Sequence, residues 1–172
     1  MATNSNVKQN FHAETETFIN TLIQLELTSS YGYLAMSTHY DRDDVALSGF
    51  HKFLKDMSEK KKENADKLMQ KQNERGGRVT FQDVQASSRS NWGKGSEGLA
   101  AAMEAEINSN QTFLKFHNLA ETHEDKHTMD WIEEEFLTPY VENIKRLGDL
   151  KQQLSRAGDG LGEYIFDKEL AE

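Results

Sequence analysis

The chain has 172 residues, enough for one domain with a sizeable core, and its single proline permits long uninterrupted helices. It contains no cysteine, which excludes disulfides, thiolate metal sites and cysteine nucleophiles. Its net charge of -9 argues against nucleic acid or anionic membrane partners and suits a protein that attracts cations. The first ten residues contain no apolar signal segment, and no run approaches the roughly 18 apolar residues of a membrane helix, so the sequence predicts a cytoplasmic protein.

Amphipathic segments follow one another along the chain and predict an all-α fold. Four are long, with apolar residues at helical spacing, and a short one follows a Gly-Asp-Gly break near the C-terminus. The predicted helices span residues 14–40, 46–73, 96–124, 127–156 and 161–170. We expect Asp43 or Asp44 to cap the second helix, and Pro139 to remove one backbone hydrogen bond and kink the fourth.

The lengths of the connections predict how these helices are arranged. Short breaks after the first and third helices favour antiparallel hairpins. The second and third helices are separated by residues 76–95, a connection long enough to travel the length of a bundle. The third helix would then start parallel to the second. This is the topology of a four-helix bundle with one long crossover, formed by residues 1–172 as a single domain.

Each long apolar stripe is interrupted near its middle by polar groups. They are Glu26 and Tyr33 on the first helix, Lys61 and Asn64 on the second, Glu106 on the third and Tyr140 on the fourth. Burial of an unpaired ionised side chain costs several kcal/mol, so such groups must be paired, hydrated or metal-bound. A single polar residue on an apolar stripe is explained by a position at the edge of the core, in contact with solvent. Polar residues on the inward faces of all four long helices favour a shared interior site.

The second helix carries an altered form of a metal-binding spacing. Diiron bundles use Glu-x-x-His, because residues i and i+3 share a helix face and offer a bridging carboxylate and an imidazole. Here that spacing reads Lys61-x-x-Asn64. An ammonium has no lone pair and repels a cation, and asparagine is a poor iron ligand. We therefore expect Lys61 to form a buried salt bridge with Glu26 and Glu106.

Several stretches spread over nearly the whole chain carry a family resemblance. They are VKQNFH at 7–12, LELTSSYGYL at 25–34, DRDDVAL at 41–47, KLM at 67–69, QNERGGR at 72–78, FQD at 81–83, IKRLGD at 144–149 and GLGEYIFDK at 160–168. On these stretches the sequence closely resembles an animal ferritin subunit. The resemblance implies a ferritin-like bundle and a hollow 24-subunit homo-oligomeric shell. Such a shell takes up Fe(II) and stores the iron as a ferric oxyhydroxide mineral.

The resemblance also identifies the positions of the ferroxidase centre found in catalytic heavy-type subunits. Three of its residues are kept: Glu26, Tyr33 and Glu106. Three are changed: Lys61 replaces the bridging glutamate, Asn64 the histidine and Tyr140 the usual glutamine. Light-type subunits, which lack ferroxidase activity, similarly have lysine at the position of Lys61. The resemblance thus implies a light-type-like centre that is largely lost, and co-assembly with a catalytic heavy-type subunit.

Other residues match mineral and channel positions of the family. Light-type chains nucleate mineral on a cavity-side face of the second helix, which here offers the iron-binding candidates Asp56, Glu59, Glu63 and Asp66, interrupted by lysines. The three-fold channel matches Asp130, Glu133 and His117, and the four-fold axis matches Ile165 and Glu169. The acidic residues of the second helix are also explained as an ordinary solvent-exposed helix face without a role in mineral formation. Without the resemblance, the channel carboxylates are an ordinary surface pair and Glu169 points into solvent.

Two other functions remain open at this stage. One is an active ferroxidase with a rewired site that uses Glu26, Glu106, Tyr33, Tyr140 and either Glu59 or Glu63. The other is a helical scaffold with no role in iron chemistry, which the joint retention of the site and channel carboxylates disfavours. Histidines other than His117 show no ligand spacing, and we expect most to be exposed: His12, His39, His51, His123 and His127.

Overall fold

The computed structural model describes residues 5–172, and within them the chain is helical without strands. The first four residues of the predicted signal-free N-terminus lie outside the described residues. The helices are α1 Ala13–Tyr40, α2 Ser48–Glu74, α3 Gly95–Thr122, α4 Lys126–Ile132, α5 Thr138–Ala157 and α6 Leu161–Leu170, with a π-helical turn at Glu133–Leu137. This turn joins α4 and α5 into the fourth long helix, which confirms the predicted bundle with a short C-terminal helix. In the part of the chain described, no helix is both long and apolar enough to cross a membrane.

The long connection between α2 and α3 runs along α1. Near the start of α1, Asn20 Nδ2 donates to the Arg78 carbonyl at 2.9 Å and Asn20 Oδ1 accepts from the Thr80 N–H at 3.0 Å. At the other end of α1, the Tyr40 hydroxyl donates to the Trp92 carbonyl at 3.2 Å. The connection therefore spans the bundle and α3 starts parallel to α2, as the crossover prediction requires.

The prediction that Asp43 or Asp44 caps the second helix is wrong. That helix begins at Ser48, and Asp44 instead pairs with Arg42 within the preceding connection, at 2.8 Å between Arg42 Nε and Asp44 Oδ1. A local cap was expected because aspartate preceding an amphipathic segment is a common helix start. The Val45 and Ala46 N–H groups donate to the Arg42 carbonyl, so the connection forms its own turn before the helix starts.

The cap of α2 comes from α6 instead. Leu47 at the N-cap position makes no side-chain hydrogen bond. The buried carboxylate of Asp167 accepts from the Gly49 N–H at 2.8 Å and from the Phe50 N–H at 3.0 Å. A Cβ at position 49 would lie 1.8 Å from the Asp167 carbonyl oxygen, so glycine is required for this close approach. The C-terminal helix is thus fastened to the start of α2.

Pro139 is accommodated by the π-helical turn. Proline has no N–H to donate and its ring clashes with the carbonyl four residues earlier in a regular helix. Pro139 lies in the first turn of α5, and the preceding turn is widened so that the Thr138 N–H donates to the Glu133 carbonyl. The expected disturbance of the fourth helix takes this form, directly before Tyr140.

Two apolar clusters fill the two ends of the bundle, and the polar positions lie between them. One cluster includes Met57 and Ala102, and the other includes Leu68 and Phe113. On α2 the buried Lys61 lies between Met57 and Leu68, and on α3 Glu106 lies between Ala102 and Phe113. The interior polar groups therefore form one layer near the middle of the bundle, with an apolar core on either side.

Candidate functional site

Lys61 lies at the centre of this polar layer. Its Nζ is 2.9 Å from Glu106 Oε1, 3.1 Å from Glu106 Oε2 and 3.9 Å from Glu26 Oε2. It also donates a hydrogen bond of 2.8 Å to the Tyr140 hydroxyl. Lys61 is 4% exposed, and the two carboxylates are 0% and 2% exposed. The predicted buried salt bridge between these three residues is confirmed.

Uncharged side chains donate hydrogen bonds to both oxygens of the Glu26 carboxylate. The Tyr140 hydroxyl donates to Oε1, and Asn64 Nδ2 donates to Oε2 at 2.8 Å. Because Tyr140 accepts from Lys61 and donates to Glu26, its hydroxyl links the ammonium to the more distant carboxylate. The two residues that replace the expected histidine and glutamine are therefore hydrogen-bond partners of Glu26.

The Glu106 carboxylate is satisfied in the same way. The Tyr33 hydroxyl donates to Oε1 at 2.7 Å, and Asn143 Nδ2 donates to Oε2 at 2.9 Å. Sequence reasoning missed Asn143, although its spacing of three residues from Tyr140 puts it on the same helix face. Each oxygen of both carboxylates now accepts at least one hydrogen bond.

Burial governs the protonation of this layer. Desolvation raises the pKa of Glu26, while Lys61, Tyr140 and Asn64 lower it and Glu106 raises it further. Burial also raises the pKa of Tyr140, with Glu26 adding to the effect, and it raises the pKa of Tyr33 well above its usual value. Both phenols therefore stay protonated and act as donors over the ordinary pH range.

The side chains of the layer balance one another's charge. A cation needs free carboxylate or imidazole lone pairs, but the position between Glu26 and Glu106 is held by the Lys61 ammonium. A surface cleft of about 430 Å³ between α2 and the fourth helix reaches Lys61, Glu106 and Tyr140. A small solute can therefore approach the layer through this cleft.

Comparison with known proteins gives consistent results. A ferritin-like domain matches residues 16–157. The chain is 49% identical to the soma ferritin of Lymnaea stagnalis over 165 residues, which cover 96% of this chain and 95% of that protein. It is 44% identical to the ferritin light chain, oocyte isoform, of Xenopus laevis over 171 residues, 98% and 97% of the two chains. It is 46% identical to the ferritin heavy chain of Echinococcus granulosus over 163 residues, 95% and 94% of the two chains.

The chain belongs to the ferritin family. In this ferritin chain, the carboxylates matched to mineral nucleation lie on the exposed face of α2: Asp56, Glu59, Glu63 and Asp66. No three of these carboxylates bring oxygens within 4.8 Å of one another. In residues 5–172, one group of histidine and carboxylate side chains elsewhere on the surface does so.

The residues matched to the channels lie on the surface of this ferritin chain. Glu133 Oε1 is 2.7 Å from His117 Nε2, and Asp130 is exposed one turn before Glu133. Ile165 and Glu169 are both exposed on α6. The structure brings His117 and Glu133 into contact and leaves the other channel positions free of the bundle core.

The prediction that most of the histidines other than His117 are exposed is wrong: His12 and His127 are exposed, while His39, His51 and His123 are buried or half-buried. His39 is buried, and its Nε2 lies 3.1 Å from the Gly93 carbonyl oxygen, so it helps to hold the crossover. His12 and His123 stack with ring centroids 3.7 Å apart and form, with Glu14, the group of ligand atoms within 4.8 Å. No spacing could have revealed this group, because Glu14 and His123 are 109 positions apart.

Proposed function

We propose that this chain is a storage subunit of a ferritin shell, in which Lys61 closes the ferroxidase centre. Iron storage by a ferritin subunit follows from the family. The closed centre rests on one observation: the Lys61 ammonium lies within 3.1 Å of both Glu106 oxygens and is linked to Glu26 through the Tyr140 hydroxyl.

The physical argument concerns the fixed charge at the centre. A diiron site uses two cations to neutralise its carboxylates, and here one covalently attached cation takes over part of that role. Any Fe(II) that entered would meet an ammonium that cannot be displaced from the chain and would have to break hydrogen bonds to Glu26 and Glu106. We therefore expect the chain to lack rapid oxidation of its own.

This function implies partners. We propose a 24-subunit shell in the cytoplasm, since the cysteine-free chain suits a reducing compartment. Oxidation of Fe(II) by O2 would be supplied by heavy-type subunits in the same shell. The similarity of the chain to both a light and a heavy ferritin chain supports such mixed assembly. The exposed carboxylates of α2, Asp56, Glu59, Glu63 and Asp66, would then bind ferric ions as mineral forms.

The test is stopped-flow oxidation of Fe(II) by the metal-free shell, at about two Fe(II) per chain, the stoichiometry of a two-metal site. We expect no transient diferric species and only slow mineral growth. A rapid transient in the unaltered chain would contradict the proposal and support the rewired ferroxidase that uses Glu26, Glu106 and neighbouring groups.

A variant set makes the test specific to the centre. Lys61→Glu combined with Asn64→His and Tyr140→Gln restores the ligand types of the catalytic centre, so a rapid phase should appear. The control is Lys60→Glu, which makes the same charge change at the exposed neighbouring position. If the control accelerates oxidation as much as the triple variant, the effect is one of surface charge and Lys61 does not close the centre.

A further inference from the structure

We propose a metal site on the surface of the bundle for a divalent first-row transition ion. It consists of His12, the N-cap residue of α1, Glu14 in the first turn of α1, and His123, the C-cap residue of α3. One ligand atom from each residue lies within 4.8 Å of the other two. The site does not involve Lys61 or its partners, so each proposal can fail without the other.

The distances are close to those that a bound ion imposes. Glu14 Oε2 is 2.7 Å from His123 Nε2 and 3.8 Å from His12 Nδ1. Metal–ligand bonds of about 2.0–2.2 Å at tetrahedral angles separate neighbouring ligand atoms by roughly 3.3–3.6 Å. The distance from Glu14 to His123 must therefore widen and the distance from Glu14 to His12 must shrink, each by less than an ångström. An ion would replace the direct hydrogen bond between His123 and Glu14.

The two imidazoles are already held side by side. Their rings stack at an interplanar angle of 13°, and because the lone pair of each nitrogen lies in its ring plane, at least one ring must rotate out of this stack to bind a shared ion. The Asn10 side-chain amide donates to the Glu124 carbonyl at 3.2 Å, which ties together the segments that carry the histidines. His12 Nδ1 accepts a hydrogen bond of 3.2 Å from the Glu14 N–H, and the coordinate bond would take the place of this cap.

The ligand types select the class of ion. Two imidazoles and one carboxylate suit borderline ions such as Zn²⁺, Co²⁺ and Fe²⁺, while Ca²⁺ and Mg²⁺ prefer sets made entirely of oxygen ligands. Three protein ligands leave at least one position for water or a second partner. A metal bound here would join the start of α1 to the end of α3.

The experiment measures Zn²⁺ bound per chain to the assembled protein, together with anomalous diffraction from Zn²⁺-soaked crystals. We expect a zinc peak between His12, Glu14 and His123, and one fewer tightly bound Zn²⁺ per chain in His12→Asn and in His123→Asn. Asparagine is a good N-cap residue, so His12→Asn removes the imidazole while keeping the helix start.

The matched control is His127→Asn, an exposed histidine outside the group. It should leave the stoichiometry of the wild type unchanged. Zinc bound at the channel carboxylates is common to all these proteins and cancels in the comparison. The proposal is overturned if both cluster variants bind as much Zn²⁺ as the wild type, or if the anomalous map has no peak between the three residues.

Discussion

Glu26 shows how incompletely one lysine compensates two buried carboxylates. Lys61 is in direct contact with Glu106 but lies 3.9 Å from the nearer Glu26 oxygen, so Glu26 depends largely on neutral donors. Desolvation outweighs these interactions and raises its pKa above 4.5. The folded protein therefore binds this proton more tightly than the unfolded chain does, and the charged form of Glu26 opposes folding.

This imbalance predicts a pH-dependent gain in stability for Glu26→Gln. In the wild type, the favourable contribution of protonated Glu26 is complete below the unfolded pKa and is lost as pH rises through the raised folded pKa. Glutamine imitates the protonated state at every pH. We expect the variant to be more stable than the wild type at pH 8, and we expect this advantage to shrink toward pH 5.

Chemical denaturation at a series of pH values measures this difference. Glu104→Gln, at an exposed position of α3, serves as the control and should shift the free energy of unfolding by less than about 0.5 kcal/mol. A stability difference that does not vary with pH, or a loss of stability at pH 8, would show that Glu26 is adequately paired when ionised.

At the residue scale, the sequence predicted those contacts that follow from residue type and helix face. A lysine and two glutamates on inward faces of different helices can satisfy one another only in the interior, and the structure brings them together. The contact between His123 and Glu14 could not be predicted in this way. It joins the two ends of separate helices, and its geometry depends on how the bundle is packed.

At the element scale, the start of α2 depends on a partner residue that lies 118 positions after Gly49 in the chain. Its own N-cap residue supplies no side-chain acceptor, and Asp167 provides the carboxylate for the Gly49 and Phe50 N–H groups. Helix periodicity located α2 and α6 correctly because it depends only on local spacing. The cap was missed because it is a tertiary contact, and local capping rules cannot detect one.

This cap predicts that Asp167 stabilises the whole C-terminal part of the fold. Asp167→Ala leaves two buried N–H groups without an acceptor and removes a charge that is favourable at a helix N-terminus. We expect a loss of about 1–3 kcal/mol in the free energy of unfolding. Asp167→Asn keeps an oxygen acceptor and should lose less.

Thermal unfolding, with proteolysis as a probe of α6 detachment, measures the effect. The control is Asp66→Ala, which removes a carboxylate from an exposed position of α2 and should change stability by less than about 0.5 kcal/mol. Equal losses in Asp66→Ala and Asp167→Ala would mean that the contribution of Asp167 is general electrostatics and that its cap does not hold the two helices together.

At the scale of the whole molecule, the single chain leaves apolar side chains exposed on several elements. They include Tyr31 and Leu34 on α1 and Leu161, Tyr164 and Ile165 on or at the start of α6. Exposed apolar surface of this kind is typical of protein interfaces. This supports the proposed shell, in which subunits would cover these side chains and bring surface carboxylates of different chains close together.

Assembly would give Asp130 and Glu133 a role that they lack in one chain. On the isolated surface they are an exposed pair, with Glu133 also in contact with His117. Repeated around a symmetry axis, carboxylates attract cations and help to remove their hydration shells. The negative net charge of the chain adds to this attraction over longer distances.

We therefore expect Asp130→Asn with Glu133→Gln to slow the growth of ferric mineral by about tenfold at low salt, because fewer Fe(II) ions reach the cavity. The initial rate of mineral growth is measured by absorbance in assembled shells that contain many irons each. Salt should slow the wild type more than the double variant, since it screens the carboxylates that the variant lacks. Glu134→Gln alters an exposed carboxylate next to Glu133 and is the matched control. If it slows growth as much as the double variant, net surface charge governs uptake and the two channel residues form no specific route.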